Sequence, residues 1–248
     1  MKTLKVVIYG SKGKMGSSLI QCVKENHTLE LAGCIDSGDS LEAIGSCDAV
    51  IDFSDASATL AVLEKCIESK KTIVIGTTGH STELRSRIFE ASKKIPVIFS
   101  PNYSVGVNVL FWLTKKAGEI LGSEYDAEVI EMHHRFKKDA PSGTARKLAE
   151  ILADVRGLDY EKDTRHGREG MPGQRTSSEI GIHSVRGGDV VGDHTVMLAS
   201  PGDRLELIHR ASSRESFARG ALRAAIWARE TKSNQPGLYD MQDVLGLR

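Results

Sequence analysis

The chain has 248 residues, 40% of them hydrophobic and 27% charged, with 33 basic against 33 acidic side chains and a formal charge of zero. That balance describes a folded chain with enough apolar material for one large domain or two smaller ones, and it excludes a disordered polymer. It also excludes a global attraction to nucleic acid or to an anionic membrane, so any anion binding must come from a local basic patch.

The first apolar run, Val6-Val7-Ile8-Tyr9, is broken at once by Gly10, which is too short for a leader or a membrane span. Residues 4 to 100 alternate β-branched runs with helical segments. Strands are predicted over 4–9, 29–36, 49–53, 72–75 and 96–100, with helices between most of them, the rhythm of parallel strands joined by crossover helices. The four cysteines, Cys22, Cys34, Cys47 and Cys66, all fall in this region without metal-type spacing. They predict buried, reduced thiols in a cytoplasmic protein and no metal site. An amphipathic helix follows over 105–121, its apolar positions between Val107 and Leu113 suited to covering a sheet. From Ala127 the strands lengthen and are separated by Arg186-Gly187-Gly188-Asp189 and Ser200-Pro201-Gly202-Asp203, both read as hairpin turns in a mixed or antiparallel sheet. A helix over 214–231 ends in the breaker-rich Ser233-Asn234-Gln235-Pro236-Gly237.

Two stretches carry chemistry. Gly10-Ser11-Lys12-Gly13-Lys14-Met15-Gly16 follows the first strand and opens a helix placed at Ser17-Ser18-Leu19-Ile20. Lys12 stands where a dinucleotide fingerprint has its second glycine, and Gly13 comes one place later. The context is nonetheless that of a nucleotide loop, with strand before, helix after, and Asp36 twenty residues past Gly16 to accept bonds from a ribose. Two further loops, Gly76-Thr77-Thr78-Gly79 and Ser100-Pro101-Asn102-Tyr103, leave strand carboxyl ends, where open parallel sheets bind ligands. Asp36 followed by Ser37 repels a 2′-phosphate and leans toward NADH, while Lys12 and Lys14 offset the repulsion and leave NADPH open.

The second stretch runs from His133-His134-Arg135-Phe136-Lys137-Lys138 through Asp139-Ala140-Pro141-Ser142 to Gly143-Thr144-Ala145. It joins two imidazoles and a basic patch to a helix start, where the N–H groups of Gly143, Thr144 and Ala145 favour a carboxylate or phosphate. Asp139 is either a turn residue or a partner for the loop's backbone or basic side chains. The consecutive histidines face opposite sides of a strand and have no completing ligands, which argues against zinc. His183, His194 and His209 lie in second-domain strands, where they are structural, at an interface or in support of the site's own residues, with the structural role favoured.

With these residues in view, the chain resembles the 4-hydroxy-tetrahydrodipicolinate (dihydrodipicolinate) reductase family nearly end to end. The resemblance rests on Lys14-Met15-Gly16, on Gly76 to Gly79, on the segment from Asn102 to Asn108, and on the whole His-His-x-x-Lys-x-Asp-Ala-Pro-Ser-Gly-Thr-Ala segment. Glu179 to Gly188, Gly192 to Val196 and His209 to Arg214 extend it. It implies an α/β fold, with a Rossmann-type parallel-sheet domain over 1–104 and 214–248. An α+β domain over 105–213, with a mixed or antiparallel sheet, would bind substrate and form a homotetramer. It further implies hydride transfer from NADH or NADPH to a small cyclic imine dicarboxylate in lysine and diaminopimelate biosynthesis. By position, His133 matches the acid/base and Lys137 the proton donor, while His134, Gly143 and Thr144 match substrate binders. Gly10, Ser11, Lys12, Gly13, Lys14, Met15, Asp36, Gly76, Thr77, Thr78, Ser100, Pro101, Asn102 and Tyr103 match cofactor contacts. The departures, at Lys12 and Ser37, bear on the choice of NADH or NADPH.

Two other functions are weighed against this one. An aldehyde dehydrogenase of the aspartate-semialdehyde type needs a cysteine nucleophile, and no cysteine lies in the second domain or at the domain junction. A non-catalytic NAD(H)-binding protein would be expected to have gaps in the His-His-x-x-Lys segment, which is whole.

Overall fold

The computed structural model describes residues 3–232 and 235–248. Ser233 and Asn234, part of the expected terminal breaker, lie outside the described residues. The chain runs β1 (Leu4–Tyr9), α1 (Lys14–Lys24), β2 (Leu29–Ile35), β3 (Ala49–Asp52), α2 (Ala56–Glu68), β4 (Thr72–Ile75), α3 (Thr82–Ser92) and β5 (Pro96–Phe99). It continues through α4 (Val105–Leu121), β6 (Asp126–His133), α5 (Gly143–Arg156), α6 (Tyr160–Asp163), β7 (Thr164–His166), β8 (Ile180–Arg186), β9 (Gly192–Ser200) and β10 (Asp203–Ala211). It closes with α7 (Glu215–Thr231), β11 (Gly237–Tyr239) and α8 (Met241–Leu245). Two compact units emerge, Met1–Val105 with Arg214–Arg248, and Gly106–Ser213.

The first unit is built on a parallel sheet of order β11-β5-β4-β3-β1-β2. Its strands read as continuous apolar runs because both faces are covered. Val6 and Ile8 of β1 pack with Leu19 and Val23 of α1 and with the alanines of α7, whereas Val7 and Tyr9 pack with Val62 and Leu63 of α2 and Ile88 of α3. The strand order reverses between β1 and β3, the switch point at which open α/β sheets leave a ligand crevice. Of the thiols, Cys22, Cys47 and Cys66 are buried and Cys34 is exposed on β2, contrary to the expectation that all are buried; all four are free. Strand β2 is the outermost of its sheet, and alternate side chains of an edge strand reach solvent.

The second unit holds a mixed sheet of order β10-β9-β6-β8-β7. Strand β6 is central. Its residues Ala127 and Val129 pack with Val107, Leu110 and Phe111 of α4 and with Leu148 and Leu152 of α5. Period-2 alternation places Glu128, Ile130 and Met132 on the opposite face. The turn at Ser200–Asp203 closes the antiparallel β9–β10 hairpin as expected. The turn at Arg186 does not make a hairpin. Strand β8 runs parallel to β6 on one side and β9 antiparallel on the other, so this connection passes the end of β6. Pairing both edges of β6 satisfies its backbone, and Gly187 N–H bonding to His133 C=O ties the connection down. No helix among the described residues is long and apolar enough to cross a membrane.

Candidate active site

In the first unit the glycine loop leaves β1 at the switch point. Helix α1 begins at Lys14, three residues before the expected start at Ser17, with Gly13 as an N-cap that makes no side-chain bond. Close approach explains the two glycines: a Cβ at Gly16 would collide with the Gly10 carbonyl, and one at Gly10, whose φ is +83°, would collide with the Phe53 carbonyl. Lys12, Gly13 and Lys14 are exposed around this uncapped N-terminus, whereas Met15 packs its side chain against the core. An uncapped first turn flanked by two lysines fits a pyrophosphate. The Asp36 carboxylate accepts from the Ser11 hydroxyl at 2.6 Å and from the Lys12 N–H at 3.2 Å. The structure therefore brings the acid and the glycine loop together.

The loops after β3 and β4 are held from beneath by Asp52, the last residue of β3, which is 0% exposed. Its carboxyl accepts from the Ser54 N–H and hydroxyl at 3.0 and 2.5 Å, from the Thr59 hydroxyl at 2.8 Å and from the Thr77 hydroxyl at 3.0 Å. His80 Nε2 lies 3.1 Å from the Thr59 hydroxyl, and burial lowers the pKa of that imidazole. Thr77 thus spends its hydroxyl on Asp52, leaving Thr78 and Gly79 exposed. In the fourth loop the Ser100 hydroxyl donates to the Asn102 carbonyl and Pro101 is exposed. The Tyr103 ring is 1% exposed, with its hydroxyl 2.9 Å from the carbonyls of Ile75 and Ile98. Its side chain is committed to the core, so only its backbone is left to serve a cofactor.

In the second unit the end of β6 meets the N-terminus of α5, the end of β8 and the start of β9. His133 is 9% exposed, and its Nδ1 lies 2.6 Å from Glu131 Oε2. Glu131, 0% exposed, also accepts two bonds of 2.8 Å from the Arg186 guanidinium and one of 3.1 Å from the Ser142 N–H. Burial alone would push this carboxyl up, but the bonds from Arg186, His133, Ser184 and Ser142 outweigh it and hold its pKa at about 2. For His133, burial lowers the proton affinity, Glu131 opposes that, and the cationic Lys137 and Arg186 add to the lowering. Lys137 Nζ pairs with Asp139 Oδ1 at 2.9 Å, and Arg186 donates to the Asp139 carbonyl, so Asp139 is a partner of the basic groups as well as a turn residue. His134 follows the strand, half-buried, and its Nδ1 is buried with no partner among the described residues. Ser142 caps α5, and its hydroxyl takes the Ala145 N–H that the sequence reading offered to a ligand. Space is open around Gly143, and Thr144 is half-buried beside it.

Three groups here escaped the sequence reading. Glu131 stands two residues before His133, and period 2 puts both on the same face of β6, a signal available in the sequence. Arg186 arrives through register, opposite His133 on the parallel strand β8. His194, read as structural, is instead part of the cluster: it is 4% exposed, packs edge-to-face on His133 at 5.1 Å, and holds Nε2 3.1 Å from the Ser142 hydroxyl. Burial and then the neighbouring His133 lower its pKa to about 3, so it is neutral at ordinary pH. His183 pairs with Glu128 at 2.8 Å on the other face of the sheet, and His209 lies across from His194 on β10.

A doubly wound sheet with a glycine loop at its switch point and an acid after the second strand defines a dinucleotide-binding protein of the Rossmann type. The family models described as dihydrodipicolinate reductase, N-terminus, and dihydrodipicolinate reductase, C-terminus, match residues 4–103 and 106–245. A protein of Akkermansia muciniphila named 4-hydroxy-tetrahydrodipicolinate reductase is 51% identical over 245 residues, 98% of each chain. One of the same name from Syntrophotalea carbinolica is 45% identical over 269 residues, 99% of this chain and 100% of that one. The dipicolinate-bound dihydrodipicolinate reductase of Paenisporosarcina sp. TG-14 shares the fold, with a TM-score of 0.78 at 24% identity over 97% of this chain and 98% of that chain. The chain belongs to the dihydrodipicolinate reductase family.

Proposed function

We propose that this protein reduces 4-hydroxy-tetrahydrodipicolinate to tetrahydrodipicolinate in lysine and diaminopimelate biosynthesis. The observation that carries the reading is near full-length identity of about half to a reductase of that name, combined with an intact His-His-x-x-Lys segment. The net reaction takes up one hydride and one proton and releases the 4-hydroxyl as water. A bound reduced nicotinamide supplies the hydride; the chain's own residues must hold the dicarboxylate and manage the proton.

Lys137, His134 and the α5 N-terminus at Gly143 and Thr144 present positive charge, a buried donor or acceptor nitrogen, and amide dipoles, a set suited to two carboxylates. Each charge-assisted bond contributes roughly 1.5–3 kcal/mol. His133 exchanges the proton, since an imidazole can both take up and release one, and Glu131 opposes the burial and the cations that lower its proton affinity. Lys137 clamps a carboxylate and donates to the product as it forms. In the first unit, residues 10–15 hold the pyrophosphate, Asp36 the ribose hydroxyls, and the Gly76 and Ser100 loops the remainder of the cofactor. Asp36 favours NADH, with Lys12 and Lys14 leaving room for NADPH. The reading assigns cofactor binding to 1–104 with 214–248, and substrate binding and tetramer formation to 105–213, in a cytoplasmic enzyme. Support for assembly comes from the open face of the second sheet, where Ile130, Met132, Val185 and Ile208 are 37–45% exposed.

The test mixes the protein with the condensation product of pyruvate and aspartate semialdehyde and either NADH or NADPH, and follows nicotinamide absorbance. Turnover with at least one cofactor is expected; none with either sinks the proposal. His133→Ala is expected to lower kcat by about 10²–10⁴-fold, and Lys137→Ala to raise KM and lower kcat together.

A further inference from the structure

We propose that Glu131, clamped by Arg186, is a positioning residue for His133: it fixes the imidazole in the Nδ1–H tautomer and aims Nε2 at Gly192 as the proton-exchanging nitrogen. The inference rests on the proton role given to His133 above and adds which nitrogen works and what holds it.

The geometry leaves little freedom. An ionised carboxylate only accepts, so at 2.6 Å from Glu131 Oε2 the His133 Nδ1 must carry a hydrogen. Glu131 cannot swing away from the ring. Both its oxygens are bound by Arg186 in a bidentate fork, Oε1 also holds the Ser142 N–H, and none of the carboxylate is exposed. The other face of the imidazole is fixed by the edge-to-face contact with His194. Nε2 then points to β9 at Gly192, where an added Cβ would lie 2.9 Å from it. A side chain at that position would cover the nitrogen.

The arrangement also sets the charge around the ring. His133 is faced by Glu131 on its own strand, by Lys137 in the following loop, by Arg186 at the end of β8 and by His194 on β9. Lys137 is partly neutralised by Asp139. Among the described residues Glu131 is the one anion that bonds directly to the imidazole, so it keeps the protonated form reachable against burial and two cations.

The experiment uses full-length protein labelled with 15N-histidine. In the parent enzyme, neutral His133 is expected to give an Nδ1–H tautomer signal, assigned by its loss in His133→Ala. In Glu131→Gln, the His133 midpoint is expected to fall by about one pH unit or more, because an opposite charge at hydrogen-bond distance shifts a pKa by that amount. The same limb of the kcat profile should move with it, and kcat should drop about tenfold or more while cofactor affinity stays within a few-fold. Glu131→Asp keeps the charge and should recover the midpoint partly. A uniform fall in kcat with midpoint and tautomer unchanged would make Glu131 a scaffold residue and overturn the proposal. Gly192→Ala gives a second arm should Glu131→Gln not fold. It should retain the Nδ1–H signal yet lower kcat, and unchanged kcat would mean that Nε2 does not work from that side. Near-normal kcat in His133→Ala would overturn the catalytic reading alone, because the tautomer measurement stands without turnover.

Discussion

Each unit buries a carboxyl near the carboxyl end of a central strand, Asp52 on β3 and Glu131 on β6, both 0% exposed, and the two are satisfied in opposite ways. Around Asp52 the donors are the hydroxyls of Ser54, Thr59 and Thr77 and one backbone amide. Around Glu131 they are a guanidinium, an imidazole, the Ser184 side chain and the N-cap amide of α5. The hydroxyls on Asp52 do not titrate near neutral pH, and His80 reaches the carboxyl only through Thr59, so the first network is a fixed support for the loops after β3 and β4. In the second network the histidine bonds the carboxylate itself, so its geometry and its protonation depend on each other. A site meant only to hold a cofactor in place needs the first kind of anchor, and a site meant to pass a proton needs the second.

The largest effect should come from removing the fixed anchor. Asp52→Ala strands several buried donors and is expected to destabilise the first unit by about 3–5 kcal/mol, whereas Asp52→Asn, which keeps one acceptor, should cost less than half of that. Urea unfolding can read each unit alone, since Trp227 lies in the first and Trp112 in the second. A Trp112→Phe background isolates the first, and a loss under about 1 kcal/mol there would mean the hydroxyl network is dispensable.

The next effect separates the two regions by pH. His194 is lowered from 6.5 to about 3, so between those values the unfolded chain binds a proton that the folded one does not, and stability falls as pH falls. Glu131 acts at lower pH. Its folded pKa of about 2 lies below the ordinary 4.5, so its contribution is full above 4.5 and is lost as pH falls through about 2. In a Trp227→Phe background, the second unit should lose on the order of 2 kcal/mol between pH 6.5 and 4.5, before the lowered carboxyls of Glu128 and Glu131 begin to add to the loss. Replacing His194 with Gln should remove most of that slope; an unchanged slope would place the coupling elsewhere.

The smallest effect concerns the partly exposed acid of the first unit. Asp36→Ala is expected to weaken NADH by about 1–2 kcal/mol, the value of one or two hydrogen bonds, and to weaken NADPH less or even favour it. Asp36 also holds Ser11 and the Lys12 amide, so part of the loss will be shared by both cofactors. Equal losses throughout, measured by titration calorimetry, would leave Asp36 only that loop-holding role.

The sequence by itself determined the local elements and the two chemical segments. Apolar periodicity, breakers and cap residues are short-range properties, and they set β1 to β5, α4 and the Ser142 start of α5. Where two segments combine a nucleotide loop and an imidazole-lysine turn, the chemistry is legible from residue types alone. Tertiary structure decided what depends on pairing and close approach. Strand order made the Arg186 turn a crossover instead of a hairpin and delivered Arg186 to Glu131 by register. Close approach of Gly16 to the Gly10 carbonyl packed the first turn of α1, which starts at Lys14, against the glycine loop. Burial turned His194 from a strand residue into the wall of the His133 site and committed Tyr103 to the core. These outcomes turn on groups far apart in the chain, whose desolvation and contacts come into being only when the sheets close.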